Sequence, residues 1–320
     1  MRTPRPLPHP LSDPFLVEQA LSLGVTPGRL RGSDLRTPSR GIRVPKNTKT
    51  TGTPAELAAS CRPYLELFPD AVLSHTTAAR LHGIPLPPSY RNESFLHVTR
   101  PPNAASTTRR HIRSHRSRLE DFDVVQPAPG LRLTSEARTF ADLARILDLP
   151  DLTAAGDWLV SEHGRSYGQV RHAVLGLEEL RSYVNGLRWI PGIRTARRAL
   201  DLVRVGVDSP PETYLRLMLH DAGLPEFRPN MPLLDAAGRP VLWTDLGCPE
   251  FRTCVEYDGA HHLTPEQQMK DHNRDLLVSE LGWHQVKVSA VDMRRGSAWV
   301  APIVARGLRL GGWVREQGVL

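Results

Sequence analysis

Cysteine is scarce in this chain of 320 residues, and the positions of its few thiols exclude two common kinds of site. Only Cys61, Cys248 and Cys254 are present, and no two of them form a CxxC pair. Disulfide frameworks need a larger set of thiols, and cysteine zinc sites need closely spaced pairs. The sequence therefore indicates a reduced compartment, which we expect to be the cytoplasm.

Long apolar runs are also missing. No stretch approaches the roughly 18 apolar residues of a membrane-spanning helix. The N-terminal MRTPRPLPHPLSDP lacks the apolar core of a secretory signal. We therefore expect no membrane contact. The chain is 40% hydrophobic and 23% charged, which is typical of globular proteins, and its length predicts two or three domains.

Charge is divided unevenly along the chain, whose net charge is +7. Residues 1–204 hold 29 Lys and Arg against 19 Asp and Glu, a net +10. Residues 205–320 hold 12 against 15, a net −3. A basic part joined to an acidic part suggests that the first contacts a polyanion such as DNA, while the second gathers carboxylates for a metal. The alternative is that these charges are simply solvated.

Residues 1–47 carry the pattern of a DNA-binding head behind a tail, residues 1–14, that is proline-rich and expected to be disordered. In residues 15–47, a short helix over 15–23 precedes Gly24, and a Thr-Pro cap then starts a second, arginine-bearing helix. With a final strand in RGIRVP, this pattern predicts a winged-helix-like, helix-turn-helix head. Its expected DNA contacts are Arg29, Arg31, Arg36 and Arg40.

A polar linker then leads to residues 55–164, which predict an α+β middle domain. The expected helices are 57–67, 74–84, 135–147 and 152–163, and the expected strands are 95–98 and 131–134. The segment RRHIRSHR at 109–116 alternates basic with other side chains, as an exposed strand does. This strand would either contact phosphates or be an edge strand guarded by its charge.

The order of these motifs resembles a known family. The arginine-bearing head, LSHTTAARLHGIPLP, LHVTRPP and GLRLTSEARTFADLA together resemble the AbiEi-type antitoxins of type IV toxin–antitoxin systems, over about residues 12–165. The resemblance implies a winged-helix DNA-binding head and an α+β domain that regulates or binds a partner protein, such as a toxin. Those antitoxins normally lack the sequence that follows here.

Residues 165–204 are expected to be a helical connector with basic faces, and residues 205–313 form the last domain. Ser209 caps a helix whose first turn contains two prolines and Glu212. The helix dipole favours a carboxylate there, so Glu212 is either a capping residue or an acid of a site.

Two acidic strands follow in PVLWTDLGC and FRTCVEYDG. A two-residue turn between them would place Asp245 opposite Cys254. Because side chains alternate along a strand, Asp245, Glu256 and Asp258 would then share one face. A four-residue loop keeps this parity, whereas a loop of three or five residues destroys it.

Like charges on one buried face must be neutralised or share a cation. With Glu212 ahead of them, Asp245 and Glu256 have the pattern of an oxygen-ligated Mg²⁺ site, which suits phosphodiester hydrolysis. The alternative is that Asp245 and Asp258 only close their strands in turns.

Two further groups follow the acids. His262, just after His261, is expected to act as a general base or to hydrogen-bond the scissile phosphate, and the alternative is an exposed loop residue. Arg274, on a helix over 271–281, is expected to bind phosphate or to pair with the acids. With a strand over 284–288, these elements predict an α/β core with layers on both sides.

The spacing PETYLRLML, WTDLGCPEFRTCVEYDGAHH and DHNRDLLVSELGWHQVKV resembles the domain of unknown function 559. That group is similar to very-short-patch repair endonucleases of the PD-(D/E)XK superfamily, and the match covers about 209–292. The resemblance implies a restriction-endonuclease-like domain with a mixed sheet. It implies Asp245, Glu256 and the Tyr257 main-chain carbonyl as metal ligands, and Glu212 as the helix acid.

One position departs from the superfamily pattern. A lysine usually stands two residues after the second acid, and Asp258 stands there in this chain. Within the group, aspartate followed by glycine and then histidine is usual, and this chain keeps it. The role of the lysine must then fall to His262, to Arg274 or to no residue.

Taken together, the sequence predicts a Mg²⁺-dependent DNA endonuclease, with Mn²⁺ as an alternative to Mg²⁺, directed to DNA by its basic N-terminal part. One alternative is an antitoxin-like DNA-binding transcriptional regulator whose nuclease fold has lost useful catalysis. Another is a toxin–antitoxin component that binds protein through the middle domain rather than DNA.

Overall fold

The chain contains helices together with several separate mixed and antiparallel sheets, so the fold is α+β, as the sequence predicts. The computed structural model describes residues 5–48, 52–105, 107, 109–164, 170–259 and 265–315. The chain divides into two compact units, Met1–Leu147 with Gly186–Ala196 and Asp148–Asn185 with Arg197–Leu320. None of the helices in the described ranges has both the length and the hydropathy that a bilayer span requires.

The first unit begins with a three-stranded antiparallel sheet and one short helix. The elements are β1 (Phe15–Leu16), α1 (Val17–Ser22), β2 (Leu35–Arg36) and β3 (Ile42–Pro45), and the strand order is β1-β3-β2. Phe15, Ala20 and Leu30 are buried in its small core. Leu11 is fully buried in the same core, so part of the tail that was expected to be disordered is packed.

The prediction of an arginine-bearing second helix is wrong. The segment makes a single 3-10 turn, Arg29–Arg31, which ends at Gly32. The Arg29 guanidinium donates to both carboxylate oxygens of Asp34, at 2.9 and 2.7 Å. Side-chain bonding within a short segment competes with helix formation, whose first turn is costly to form. The winged-helix-like fold of this head stays a prediction.

The rest of the first unit is a five-stranded mixed sheet with helices. The strands are β4 (Val72–Leu73), β5 (Leu96–Arg100), β6 (Ile112–Arg116), β7 (Val124–Ala128) and β8 (Leu131–Thr134). The helices are α2 (Pro54–Leu67), α3 (His75–His82), α4 (Pro88–Arg91) and α5 (Glu136–Leu143). The strand order is β6-β5-β4-β8-β7, and β6 pairs in parallel with β5. The basic strand therefore lies at an edge of the sheet.

The second unit contains a helix that the sequence assigned to the middle domain. The elements of this stretch are α6 (Leu149–Val160), β9 (His163–Gly164), β10 (Val170–Arg171), α7 (Leu177–Gly186), α8 (Ile193–Leu202) and α9 (Pro210–Asp221). Asp157 of α6 is 1% exposed. It accepts hydrogen bonds from Thr213 and Arg216 of α9, each at 2.7 Å. These buried bonds join α6 to the C-terminal core.

That core is a four-stranded mixed sheet with helices on both faces. The elements are β11 (Arg228–Leu234), β12 (Pro240–Cys248), β13 (Thr253–Asp258), α10 (Pro265–Glu280), β14 (His284–Ser289), α11 (Ala290–Arg294) and α12 (Ser297–Leu310). The strand order follows the chain, with β11, β12 and β13 antiparallel and β13 parallel to β14. Leu246 and Val255 pack with α9 and α12, whereas Cys254 packs with α10.

Candidate active site

The structure brings together three acids from three elements of the second unit. Glu212 lies in the first turn of α9, Asp245 in β12 and Glu256 in β13. After burial, the Asp245 carboxylate is the largest cause that raises the pKa of both Glu212 and Glu256. The Asp245 carboxylate is therefore close enough to repel each of the two glutamates within a partly buried site.

Glu212 is only 8% exposed and also holds the start of its helix. It accepts hydrogen bonds from the Ser209 hydroxyl at 2.8 Å and from the Asp208 backbone N–H at 3.0 Å. Both bonds reach back to residues before the helix, as in capping. Burial, and next the Asp245 carboxylate, raise the pKa of Glu212 to about 7 in spite of these bonds. Glu212 is thus a capping residue whose carboxylate also interacts electrostatically with the Asp245 carboxylate of the site.

The turn between β12 and β13 has four residues rather than two. The paired residues are Cys248 with Thr253, Gly247 with Cys254 and Leu246 with Val255. A 3-10 turn from Pro249, followed by Arg252 with a φ of 42°, supplies the extra residues. The predicted two-residue turn is wrong, but a four-residue loop keeps the parity. Asp245 and Glu256 are the next residues beyond the last pair, on the face opposite Leu246 and Val255.

Asp245 binds the neighbouring strand through its side chain. Its Oδ2 accepts the backbone N–H of Tyr257 at 2.8 Å, just beyond the last strand pair. This bond fixes one oxygen of Asp245 beside β13. The main-chain carbonyl of Tyr257, which the sequence resemblance implies as a ligand, stays a prediction.

Arg274 of α10 contacts Glu256, one of the three site acids. Its Nη2 lies 2.9 Å from Oε1 of Glu256 and also donates to the carbonyl of Trp243. The Glu256 side chain is 15% exposed. Burial and then Asp245 raise its pKa, and the Arg274 guanidinium acts in the opposite direction. Of the two roles open to Arg274, the described contacts support the pairing with acids.

A cavity of about 350 Å³ opens beside Glu256. Asp258 lines it and is exposed, so this carboxylate avoids the burial that Glu212 undergoes. Lys287 of β14 also lines the cavity, and its backbone is paired with Glu256 in the parallel register. The Lys287 ammonium lies 2.6 Å from Oδ2 of Asp275. A positively charged side chain, that of Lys287, therefore lies on the strand next to that of Glu256.

Sequence reasoning missed Lys287, although the strand pattern contains a signal for it. In HQVKVS, Val286 and Val288 are buried, so alternation turns Lys287 to the other face. That signal becomes informative only when β14 is known to pair with β13.

The predicted proton-transfer histidine, His262, and its neighbour His261 lie outside the described residues. Their roles stay predictions.

The four N-terminal arginines predicted to contact DNA differ in their surroundings. Arg29 is held by Asp34, and its side chain is 13% exposed. Arg31, Arg36 and Arg40 are exposed. Only these three present their side chains to solvent in the way that phosphate contact requires.

Comparison with known proteins identifies relatives without a described function. The chain is 28% identical over 186 residues, 58% of its length, to two proteins of Mycobacterium tuberculosis. These are "Uncharacterized protein MT2308" of strain CDC 1551 / Oshkosh and "Uncharacterized protein Rv2248" of strain ATCC 25618 / H37Rv. The match spans 64% of the length of each relative. No family model and no solved structure matches the chain.

Proposed function

We propose that the second unit is a restriction-endonuclease-like domain that hydrolyses DNA phosphodiester bonds with Mg²⁺, or Mn²⁺, as its cation. The observation that carries the proposal is the placement of Asp245 and Glu256 beside each other on β12 and β13, where the Asp245 carboxylate also raises the pKa of Glu256 and of Glu212. Carboxylates that raise one another's pKa gain most from a shared divalent cation, and oxygen ligands are those that Mg²⁺ prefers.

The topology supports the same proposal. A helix, three antiparallel strands, a helix and a parallel fourth strand form the mixed α/β core that the resemblance to PD-(D/E)XK nucleases implies. Within it, Asp245 and Glu256 would hold the cation, and Glu212 would support it. When bound, the cation would polarise the phosphoryl oxygen, acidify the attacking water and neutralise growing charge.

The protein side chains would supply the remaining work. Lys287 takes the place of the lysine that is replaced by Asp258, because it lies on the adjacent strand in register with Glu256. Its ammonium would stabilise the negative charge of the phosphate in the transition state. His262 remains the expected proton-transfer group.

The first unit would deliver the chain to DNA. It holds 23 Lys and Arg against 12 Asp and Glu, a net +11, which leaves 18 against 22, a net −4, for the second unit. Exposed arginines such as Arg31 and Arg36 would contact phosphates and release counterions, so binding should weaken steeply with salt.

One observation favours a second candidate function. The Arg274 guanidinium, which is always protonated, already neutralises Glu256 at 2.9 Å. An acid satisfied in this way needs no cation. The chain would then be an antitoxin-like DNA-binding regulator with an inactive nuclease fold, and its middle domain would bind a toxin or another protein partner.

A cleavage assay with purified full-length protein separates the two candidates. Supercoiled, linear, mismatched and single-stranded DNA would each be incubated with Mg²⁺ or Mn²⁺. The nuclease proposal expects cleavage by the wild type and by Asp221→Asn, a control at an exposed acid of α9, but none by Asp245→Ala. Tight DNA binding without cleavage of any substrate would reject the nuclease and favour the regulator.

A further inference from the structure

Three histidines that are far apart in the sequence lie close together in the first unit. His75 is the first residue of α3, with a φ of 50°, while His97 lies in β5 and His115 in the parallel neighbour β6. Each ring offers a nitrogen atom, and these three atoms lie within 4.8 Å of one another. His75 and His97 are buried, and His115 is partly buried.

His97 is oriented as a metal-binding histidine usually is. Its Nε2 lies 3.3 Å from Oε1 of Glu93, which can only accept a hydrogen bond when ionised, so the ring proton is held there. The lone pair of Nδ1 then faces the cluster, 3.0 Å from Nε2 of His115. Glu93 is itself fixed by the hydroxyl of Thr76 at 2.8 Å. A carboxylate behind a ligating imidazole is the usual means of setting its tautomer.

The other two rings are stacked on each other. The ring centroids of His75 and His115 are 3.6 Å apart, with 17° between the planes. Burial, with a further contribution from the neighbouring histidines, lowers the pKa of His75 to about 2 and that of His115 to about 4.

An unsatisfied carboxylate oxygen independently marks the same place. The Asp142 side chain is 4% exposed, and its Oδ1 accepts a hydrogen bond from Arg138 at 2.9 Å. Among the described residues its Oδ2 accepts none, and it lies 4.0 Å from Nδ1 of His75. A buried carboxylate oxygen without a donor is costly unless a cation or its bound water satisfies it.

A cavity of about 490 Å³ reaches the cluster and is lined by His75, His115 and Asp142. Exposed arginines, including Arg145 and Arg188, line its other walls. The cavity therefore leaves room for water beside the histidines and would favour an anion there.

We propose that His75, His97 and His115 bind one transition-metal ion, with Zn²⁺ as the expected metal, and that water or an anion completes the site from the cavity. Imidazole nitrogens suit zinc and its neighbours in the first transition row. Three protein ligands with one open position are typical of catalytic rather than structural zinc. The proposal does not depend on the nuclease function of the second unit.

Metal binding would be measured on the full-length, tag-free protein after removal of metals with a chelator. Zn²⁺ would be titrated by calorimetry, and Co²⁺ by its visible absorption, which reports coordination by nitrogen. We expect one tight Zn²⁺ site per chain, which belongs to the histidines because it is retained in Glu256→Ala. His115→Gln should weaken the affinity by at least about 100-fold, and Glu93→Gln by about 10- to 100-fold, as supporting carboxylates do.

His111→Gln is the matched control, because this histidine belongs to the same unit but not to the cluster. Its affinity should equal that of the wild type. Equal binding by the wild type and by His115→Gln would overturn the proposal. So would a wild-type protein that binds neither Zn²⁺ nor Co²⁺, a result that does not depend on whether any variant folds.

Discussion

Replacing Glu212 with glutamine should stabilise the protein at pH 8 in the absence of divalent cations, and should not do so at pH 4. Burial and the Asp245 carboxylate raise the pKa of Glu212 from its ordinary 4.5 to about 7. Ionisation of this group therefore costs free energy in the folded protein. Glutamine has nearly the same shape and cannot ionise.

The magnitude follows from the two pKa values. They differ by roughly 2.5 pH units, each equivalent to about 1.36 kcal/mol, so the ionised group costs the fold about 3 kcal/mol. Because the pKa is higher in the folded state, the stability gained from holding the proton is complete below pH 4.5. It is lost as the pH rises to about 7. The amide satisfies the Asp208 and Ser209 donors less well, at a cost of about 1 kcal/mol.

We therefore expect Glu212→Gln to unfold with a free energy about 2 kcal/mol above wild type at pH 8, after both effects are combined. Near pH 4 it should be slightly less stable than wild type. Chemical denaturation from pH 4 to pH 9 would measure the difference, with exposed Glu250→Gln as the control that should not change it. Mg²⁺ should stabilise the wild type more than the variant. Parallel pH curves for the wild type and Glu212→Gln would refute the reasoning.

The remaining predictions concern three other positions. Lys287→Ala should slow DNA cleavage by about 10²-fold without weakening Mg²⁺ binding, and Lys287→Arg should retain part of the rate, as single-turnover assays would show. Arg36→Ala should lower the slope of log affinity against log salt by about 1 in anisotropy titrations, whereas Arg29→Ala, whose guanidinium is bound within the protein, should not. Gly192→Ala should destabilise the first unit by about 2 kcal/mol or more, since φ is +87° and the new Cβ would lie 2.5 Å from the backbone at the end of α5. Gly130→Ala, also at positive φ but with no heavy atom near the new Cβ, should destabilise the unit less. Thermal unfolding of both variants would measure the difference.

The acidic hairpin could be predicted because its features are local. Alternation along two adjacent strands places Asp245 and Glu256 on one face whenever the loop between them has an even length. The structure uses four residues where the sequence suggested two, since a 3-10 turn and the left-handed Arg252 extend the loop. Both loop lengths leave Asp245 and Glu256 on one face, but the longer loop changes which residues pair across the two strands.

The arginine-bearing helix failed for a physical reason that is also local. The 3-10 turn there covers only Arg29–Arg31, and Gly32 follows it at once. The bond from Arg29 to Asp34 closes the segment on itself. A Thr-Pro start signal does not predict a helix when the segment is too short to offset the free-energy cost of helix nucleation.

Local sequence patterns could not predict which residues the parallel strands bring together. Lys287 meets Glu256 only because β14 returns in parallel beside β13 after α10. His97 and His115 meet through the parallel pairing of β5 and β6, and His75 joins them from a helix before both strands. No spacing rule marks such sets, whose members become neighbours only through the topology of the sheet.

The two metal proposals rest on ligands of different chemistry, so cation experiments separate them. The carboxylates of Asp245 and Glu256 suit Mg²⁺, whereas imidazole nitrogens suit Zn²⁺. Saturating Mg²⁺ should therefore leave the histidine site open, and Zn²⁺ held by the histidines should survive Glu256→Ala. A cleavage activity that is lost in Asp245→Ala but kept in His115→Gln would belong to the second unit alone. If both variants lose cleavage while both still bind DNA, the histidine metal takes part in the reaction. The first unit would then do more than deliver the chain to DNA, and that part of the proposed function would have to be given up.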